Sequence, residues 1–463
     1  MLLTEFLNSY TSEVREREIH SSMTRCRKNM SVEVREVEFK NLRAWSFNTE
    51  GDLVHESGKF FRICAGQVLD ISTGQERKQP VIDQPEQGIL GVISRCKNNK
   101  IEILLQAKIE PGNLDKVQYS PTVQATKSNY TGVHKGQPVP YLESFLPLAP
   151  EIVSEGFQSE HGYKFYRKAN NNMHAHNDCV ETLDERFIWL SLGDIRYLLS
   201  KEHCVNMDTR SVLATIDFVG KSLNKKDMKA FEDRLTTLER EMLFSSVSEQ
   251  DAIHTIREIH EWIRLYKKNT TIIKQTLPLP VLFKEGWALT DKSLSSQNNR
   301  NFELIGVTAQ IASRETSSWD QPIVRDKIPK TYVFLLKKIN NILHVLAQAV
   351  EEDFSWSGAE IGPTIHSANA LTFKLGEVLR PFGLEEESVE IIYDKYQSEE
   401  GGRFMEQRNR YILAVIDENI PLRAPKDFRW LTLYQIKQLT KYECCVNIEA
   451  RTLTTIASYY KGI

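Results

Sequence analysis

QPVIDQPEQGILGVISRCKNNKIEILLQAKIEPGNLDKVQYSPTVQ, residues 79–124, lies without a gap on QPIVRDKIPKTYVFLLKKINNILHVLAQAVEEDFSWSGAEIGPTIH, residues 321–366. Gln79 and Pro80 fall on Gln321 and Pro322, Gln106 on Gln348, and Pro121 and Thr122 on Pro363 and Thr364. The register extends outward. Trp45 and Phe60 fall on Trp287 and Phe302, and QSEHGYKF from Gln158 falls on QSEEGGRF from Gln397. FIWLSLGDIRYLL from Phe187 falls on FRWLTLYQIKQLT from Phe428, and Asn206 and Arg210 fall on Asn447 and Arg451. A spacing kept over most of each half means two copies of one domain. We place them at residues 1–222 and 223–463.

Each copy reads as mixed structure. GILGVIS, KIEILLQAKI, TYVFLLKKI and ILHVLAQAV are short β-branched runs bounded by polar turns, which suits hairpin strands. WLSLGDIRYLLS and WLTLYQIKQLT carry helical spacing behind a Ser or Thr cap. Met228, Phe231, Leu235, Leu238 and Met242, followed by Ile253, Ile256, Ile259 and Ile263, predict two amphipathic helices opening the second copy. The fold class is α+β.

Composition narrows the function. With 463 residues and 41% hydrophobic content, each copy can bury a sizeable core. The 59 basic residues are scattered among 62 acidic ones, so a nucleic-acid footprint is not expected. The opening MLLTEFLNSYTSEVRERE is too acidic for a signal peptide and no long apolar run occurs, which predicts a cytoplasmic protein without a membrane partner. Seven cysteines without a C-x-x-C pair suit a reducing compartment. His174 and His176 lack neighbouring ligands at metal spacing and read as loop residues.

The chemistry concentrates in residues 104–130. Strand alternation sets Gln106, Lys108 and Glu110 on one face. Gly112, Asn113, Gln118, Ser120, Thr122, Gln124, Thr126 and Asn129 follow, mostly neutral hydrogen-bonding groups of the kind that read sugar hydroxyls and a diphosphate. The second copy keeps the apolar scaffold but puts Val350 in place of Lys108, Phe354 in place of Gly112 and His366 in place of Gln124. The polar residues special to the first copy are therefore its candidate site. Asn206, Asp208 and Arg210 have counterparts in Asn447, Glu449 and Arg451 and read as a structural cap and pair. Trp319 has no partner in the first copy and is a candidate platform for a base or sugar.

QPEQGILG, LLQAKIEPGN, SPTVQATKSNY and VNMDTRSVL, with GVTAQIASRETSSWDQP and FRWLTLYQIKQL of the second copy, resemble the NDP-hexose 2,3-dehydratase family over nearly the whole chain. The resemblance implies two tandem modules of the Nudix-hydrolase type, a homodimer, and a dTDP-linked 4-keto-6-deoxyhexose as substrate. VEEDFSWSGAEIGPTIHS is a weakened motif, which predicts a degenerate sugar-nucleotide pocket in the second copy. The Nudix metal-binding box is absent from the sequence, and no G-x-G-x-x-G follows a strand, so neither metal nor nicotinamide cofactor is expected. A 4,6-dehydratase would precede such an enzyme and an NADPH-dependent 3-ketoreductase would follow it. Within this reading Lys108, Glu110 and Tyr130 carry the chemistry, while Gln106, Gly112, Asn113, Gln118, Ser120, Thr122, Gln124, Thr126, Asn129 and Trp319 bind substrate. The competing reading is a non-catalytic sugar-nucleotide-binding protein, and a third is a Mg²⁺-dependent pyrophosphohydrolase.

Overall fold

A computed structural model describes residues 2–127, 138–147, 149, 151–229, 233–296, 301–312, 316–367, 369–421 and 423–462. The first copy supplies β1 (Val32–Val37), β2 (Trp45–Phe47), β3 (Leu53–His55), β4 (Arg62–Asp70), β5 (Glu76–Asp83), β6 (Ile89–Lys97), β7 (Lys100–Ile109), β8 (Val117–Ser120), β9 (Val123–Ala125), β10 (Ile152–Ser159), β11 (Ala169–His176) and β12 (Phe187–Ser191). The second repeats the series as β13 (Ile272–Leu277), β14 (Trp287–Leu289), β15 (Ser293–Ser296), β16 (Phe302–Ile311), β17 (Ser318–Asp326), β18 (Thr331–Ile339), β19 (Ile342–Val350), β20 (Glu360–Gly362), β21 (Ile365–Ser367), β22 (Val389–Ser398), β23 (Arg408–Ile416) and β24 (Phe428–Leu431). Among the described residues the copies match strand for strand.

Helices open each copy, Leu3–Tyr10 and Glu16–Asn29 in the first, Thr237–Val247 and Ile256–Lys268 in the second. Helix Ile256–Lys268 begins at a Thr255/Glu258 capping box and buries Ile259, Trp262 and Ile263 on one stripe. The predicted hairpins are β6–β7 and β18–β19. Each lies in a seven-stranded sheet, β10-β11-β6-β7-β12 with β8 and β9 attached, and its counterpart around β18 and β19. Within each, one pairing is parallel, β11 with β6 and β18 with β23.

The two five-stranded sheets mix the copies. β13, from the second copy, pairs with β4 of the first, and β1, from the first, pairs with β16 of the second. The exchange is reciprocal. Helices Met207–Leu213 and Ile448–Ser458 repeat it, because Arg210 donates to the Ser398 carbonyl at 2.6 Å and Arg451 to the Ser159 carbonyl at 2.6 Å, each reaching into the other copy. Both guanidinium groups are fully buried.

Two expectations shift. Ala65 and Gly306 face Pro80 and Pro322, so Phe61, rather than Phe60, occupies the place of Phe302; both are core residues. His174 and His176, expected in a loop, end β11, and His174 is buried with its Nε2 2.7 Å from Ser94 Oγ.

Candidate active site

One cavity of about 440 Å³ opens between the copies. Its floor is built on the first copy. β7 delivers Lys108, with Glu110 just beyond it, because Leu105, Ala107 and Ile109 face the opposite side and bury in the core. The backbone carbonyl of Gln124 accepts from Lys108 Nζ at 3.2 Å, and Gln124 Nε2 donates to Glu110 Oε1 at 3.0 Å. Lys108 Nζ stands 3.9 Å from the same Glu110 oxygen. Lys168 and Asn170, before and on β11, join them with Glu160; Asn170 Nδ2 donates to Glu160 Oε1 at 2.7 Å, and Asn170 Oδ1 accepts from the Gly88 amide at 2.9 Å. Asp208, in the first turn of helix Met207–Leu213, completes the floor.

The second copy closes the cavity with Trp319, Gln321, Glu400, Gly402 and Arg403. Gln321 Nε2 holds the Gly402 carbonyl at 2.6 Å, and Trp319 Nε1 donates to Gln321 at 2.8 Å. Arg403 lies 4.3 Å from the centre of the Phe61 ring. Gly112 joins the copies: its amide donates to the Gly401 carbonyl at 2.7 Å, and a Cβ there would lie 1.8 Å from the Phe404 carbonyl oxygen.

Of the sequence-predicted residues, Lys108, Glu110, Gln124, Thr126 and Trp319 line this cavity. Gln106, Gly112, Asn113, Gln118, Ser120 and Thr122 do not. The segment expected to be a loop folds back as β8 on β7 and β9 on β6. Two of them spend their side chains on the sheet: Gln106 Nε2 donates to the Pro121 carbonyl at 2.9 Å, and Thr122 Oγ1 links Leu104 to Ile93. Asn129 and Tyr130 lie outside the described residues. Asn206 and Arg210 take the structural roles expected of them, Asn206 capping Thr209 at 2.9 Å. Asp208 departs from that reading and faces the cavity.

Burial governs the electrostatics. Burial, and then the charges of Glu160, Glu400 and Glu110, raise the Asp208 carboxyl well above the usual carboxylate range, with Lys108 opposing. Burial and Glu110 push Glu400 up to about 8. Burial brings Lys168 down to about 8, against the pull of Glu160 and Glu86. The site thus holds groups that give up or take protons near neutral pH.

A family model described as NDP-hexose 2,3-dehydratase matches residues 16–216 and again 256–456. The chain belongs to the NDP-hexose 2,3-dehydratase family. A relative from Saccharopolyspora spinosa named dTDP-4-dehydro-6-deoxy-alpha-D-glucopyranose 2,3-dehydratase is 34% identical, over 91% of this chain and 87% of its own. Relatives with the same name from Amycolatopsis orientalis and Streptomyces violaceoruber are each 33% identical, over 91% and 89% of this chain and 85% and 90% of theirs. Among solved structures, the C. elegans Ap4A hydrolase (TM-score 0.18, 12% identity) covers 25% of this chain with 87% of its own. The M. smegmatis Nudix hydrolase RenU (TM-score 0.20, 15% identity) covers 27% with 81%.

In this family member the two modules build different things at matching places. Where the cavity has Lys108, Glu160, Asp208 and Glu400, the other junction has Val350, Glu399, Glu449 and His161. There His161 sits 3.0 Å from both Glu399 and Glu449. Hydrogen bonds and charge from the two carboxylates outweigh burial and raise the imidazole well above its ordinary value, while His161 holds both acids below theirs. The imidazole is thus bonded on both nitrogens to a carboxylate.

Proposed function

We propose that the chain removes water across C2 and C3 of a dTDP-linked 4-keto-6-deoxyhexose, giving a 3,4-diketo-2,6-dideoxy sugar nucleotide. The observation that carries this reading is the placement of Lys108 beside buried carboxylates on the floor of a cavity between the copies. The C4 ketone acidifies the C3 proton. Glu110 takes that proton, and the Lys108 ammonium steadies the negative charge that moves to the C4 oxygen. The enolate then collapses to restore the ketone, forms the C2–C3 double bond and expels the C2 hydroxyl, and the resulting enol tautomerises. Electrons and atoms balance without an external oxidant or reductant.

Gln124 and Thr126, on the cavity wall, are assigned to the sugar hydroxyls, and Trp319 with Arg403 supplies an aromatic face and a cation for the nucleoside diphosphate. Tyr130, Asn129 and the six residues of the β7–β9 segment that do not line the cavity belong to the wider substrate-binding proposal, the latter as its support. The repeats at 1–222 and 223–463 divide the labour: the first carries the reactive floor and the second holds a degenerate pocket. A homodimer in the cytoplasm and a 3-ketoreductase that consumes the unstable diketone complete the proposal.

Incubation with dTDP-4-keto-6-deoxyglucose, with and without a chelator, tests it by mass spectrometry. Loss of one water with the chelator present is the expected result. Intact binding without water loss would make the chain a sugar-nucleotide-binding protein, and Mg²⁺-dependent release of dTMP would make it a hydrolase.

A further inference from the structure

We propose that Glu400, supplied by the second copy, is the acid that protonates the departing C2 hydroxyl. The assignment rests on the dehydratase reading above and adds a catalytic group from the half that carries the degenerate motif.

Three observations place it there. The turn bearing Glu400 is clamped against the first copy by the Gly112–Gly401 hydrogen bond at 2.7 Å and the Glu406–Gly112 bond at 2.9 Å, which fixes the side chain over the floor. Both acids crowd the α-carbon of Gly402, where a methyl group would meet Glu400 Oε1 at 2.3 Å and Glu110 Oε1 at 3.5 Å. Any larger residue at 402 would enter the space between proton acceptor and proton donor. Glu110, Glu160 and Asp208 are more than nine-tenths buried, whereas Glu400, enclosed by protein, keeps part of its surface on the cavity. Of these four it presents the most surface to the space a substrate would fill.

The comparison between junctions says why an acid stands at this position. At the other junction a cation, His161, lies 3.0 Å from both Glu399 and Glu449 and offsets part of their charge. At the cavity the matching position is Glu400, which shares the lining with Glu160 and Asp208. Four carboxyl groups, Glu110, Glu160, Asp208 and Glu400, then face Lys108, Lys168 and Arg403, and burial disfavours an uncompensated negative charge. The arrangement retains a proton.

The step balances. As the enolate electron pair forms the C2–C3 double bond, the C2–O bond breaks and its electrons take the Glu400 proton, so water leaves. During tautomerisation C2 takes the proton held by Glu110 and the C3 hydroxyl returns one to Glu400, restoring both residues.

Full-length Glu400→Gln tests the assignment, with folding checked by circular dichroism. Water loss should fall at least about 100-fold, the contribution of a positioned acid. Solvent deuterium should still enter C3 at a rate within a few-fold of wild type. The C2-fluoro analogue, whose leaving group departs as an anion, should release fluoride at near the wild-type rate. Unchanged water loss overturns the assignment, and so does joint loss of C3 exchange and fluoride release. If the variant does not fold, wild-type pH profiles decide: the hydroxy substrate should lose rate at alkaline pH and the fluoro analogue should not, and matching profiles overturn the idea. Wild-type protein that releases no water removes the proposed reaction and this step together, whereas wild-type turnover with unchanged Glu400→Gln turnover removes this step alone.

Discussion

Lys108 and Val350 occupy matching positions on β7 and β19, so the two side chains serve as each other's control. Lys108→Ala should lower turnover about 10²- to 10³-fold, the scale of losing one oriented donor to an oxyanion, while circular dichroism stays native. Val350→Ala should leave turnover within about two-fold; equal losses in both variants would remove Lys108 from the chemistry. Glu400 sets a second expectation. Its carboxyl is pushed up to about 8, so the neutral, proton-donating form prevails below that value and is lost as pH rises through it. The rate of water loss should decline through that range, and a flat profile past it would count against a proton-holding cavity. The sequence made Lys108 legible because alternation and its replacement by Val350 both single it out. Glu160 and Asp208 escaped because Glu399 and Glu449 keep an acid at the matching positions, so a search for differences between copies passes over them. Glu400 does differ, from His161, but it differs in the copy whose motif is weaker, and no pattern along one chain says that the 400–403 turn caps the other copy's floor.

At the scale of elements, the junction helices and the turns after β10 and β22 hold the copies together through buried charge. His161 lies between Glu399 and Glu449, with Asn409 and Tyr411 donating to Glu399 at 2.7 and 2.9 Å. His161→Ala leaves two carboxylates buried without their cation, which should cost about 3–5 kcal/mol in denaturant unfolding. The pH dependence follows from the directions of the shifts. A raised imidazole stabilises fully below its unfolded value of 6.5 and loses that contribution as pH rises through its higher folded value. Glu399 and Glu449 are lowered, so their contribution is present above the unfolded value of 4.5 and is lost as pH falls through their folded values, about 2 for Glu449. The difference between wild type and His161→Ala should therefore be greatest between about pH 4.5 and 6.5. A difference independent of pH would mean that the network acts by packing alone. The hairpins β6–β7 and β18–β19 were legible in their β-branched runs, whereas β8 and β9 were not, since Pro111, Gly112 and Pro121 read as loop punctuation. What pins them is tertiary: Thr122 Oγ1 bonds Leu104 and Ile93, and Thr364 bonds Leu346 and Leu335 in the same way.

Across the whole molecule, the repeat is plain in the sequence and its entanglement is not. β1 and β13 follow their own copies' helices along the chain, and nothing in VEVREV or IIKQTL says that each will join the other copy's sheet. Six residue pairs join β1 to β16 and six join β13 to β4, so cutting between residues 222 and 223 leaves each half with a sheet lacking a partner strand. The buried arginines lose their acceptors as well, since Arg210 reaches the Ser398 carbonyl and Arg451 that of Ser159. An unpaired guanidinium costs several kcal/mol to bury, comparable with the net stability of an ordinary domain. We therefore expect residues 1–222 and 223–463, produced separately, to be unfolded or aggregated, with broad amide spectra and no cooperative melting. Produced together they should associate, regain the cavity floor and its cap from opposite chains, and recover dehydratase turnover. The intact chain should unfold in a single transition, because neither sheet system survives the loss of the other. A first half that melts cooperatively by itself would show that the exchanged strands are ornaments on two self-sufficient modules, and a first half that also turns over substrate would remove the second copy from the active site.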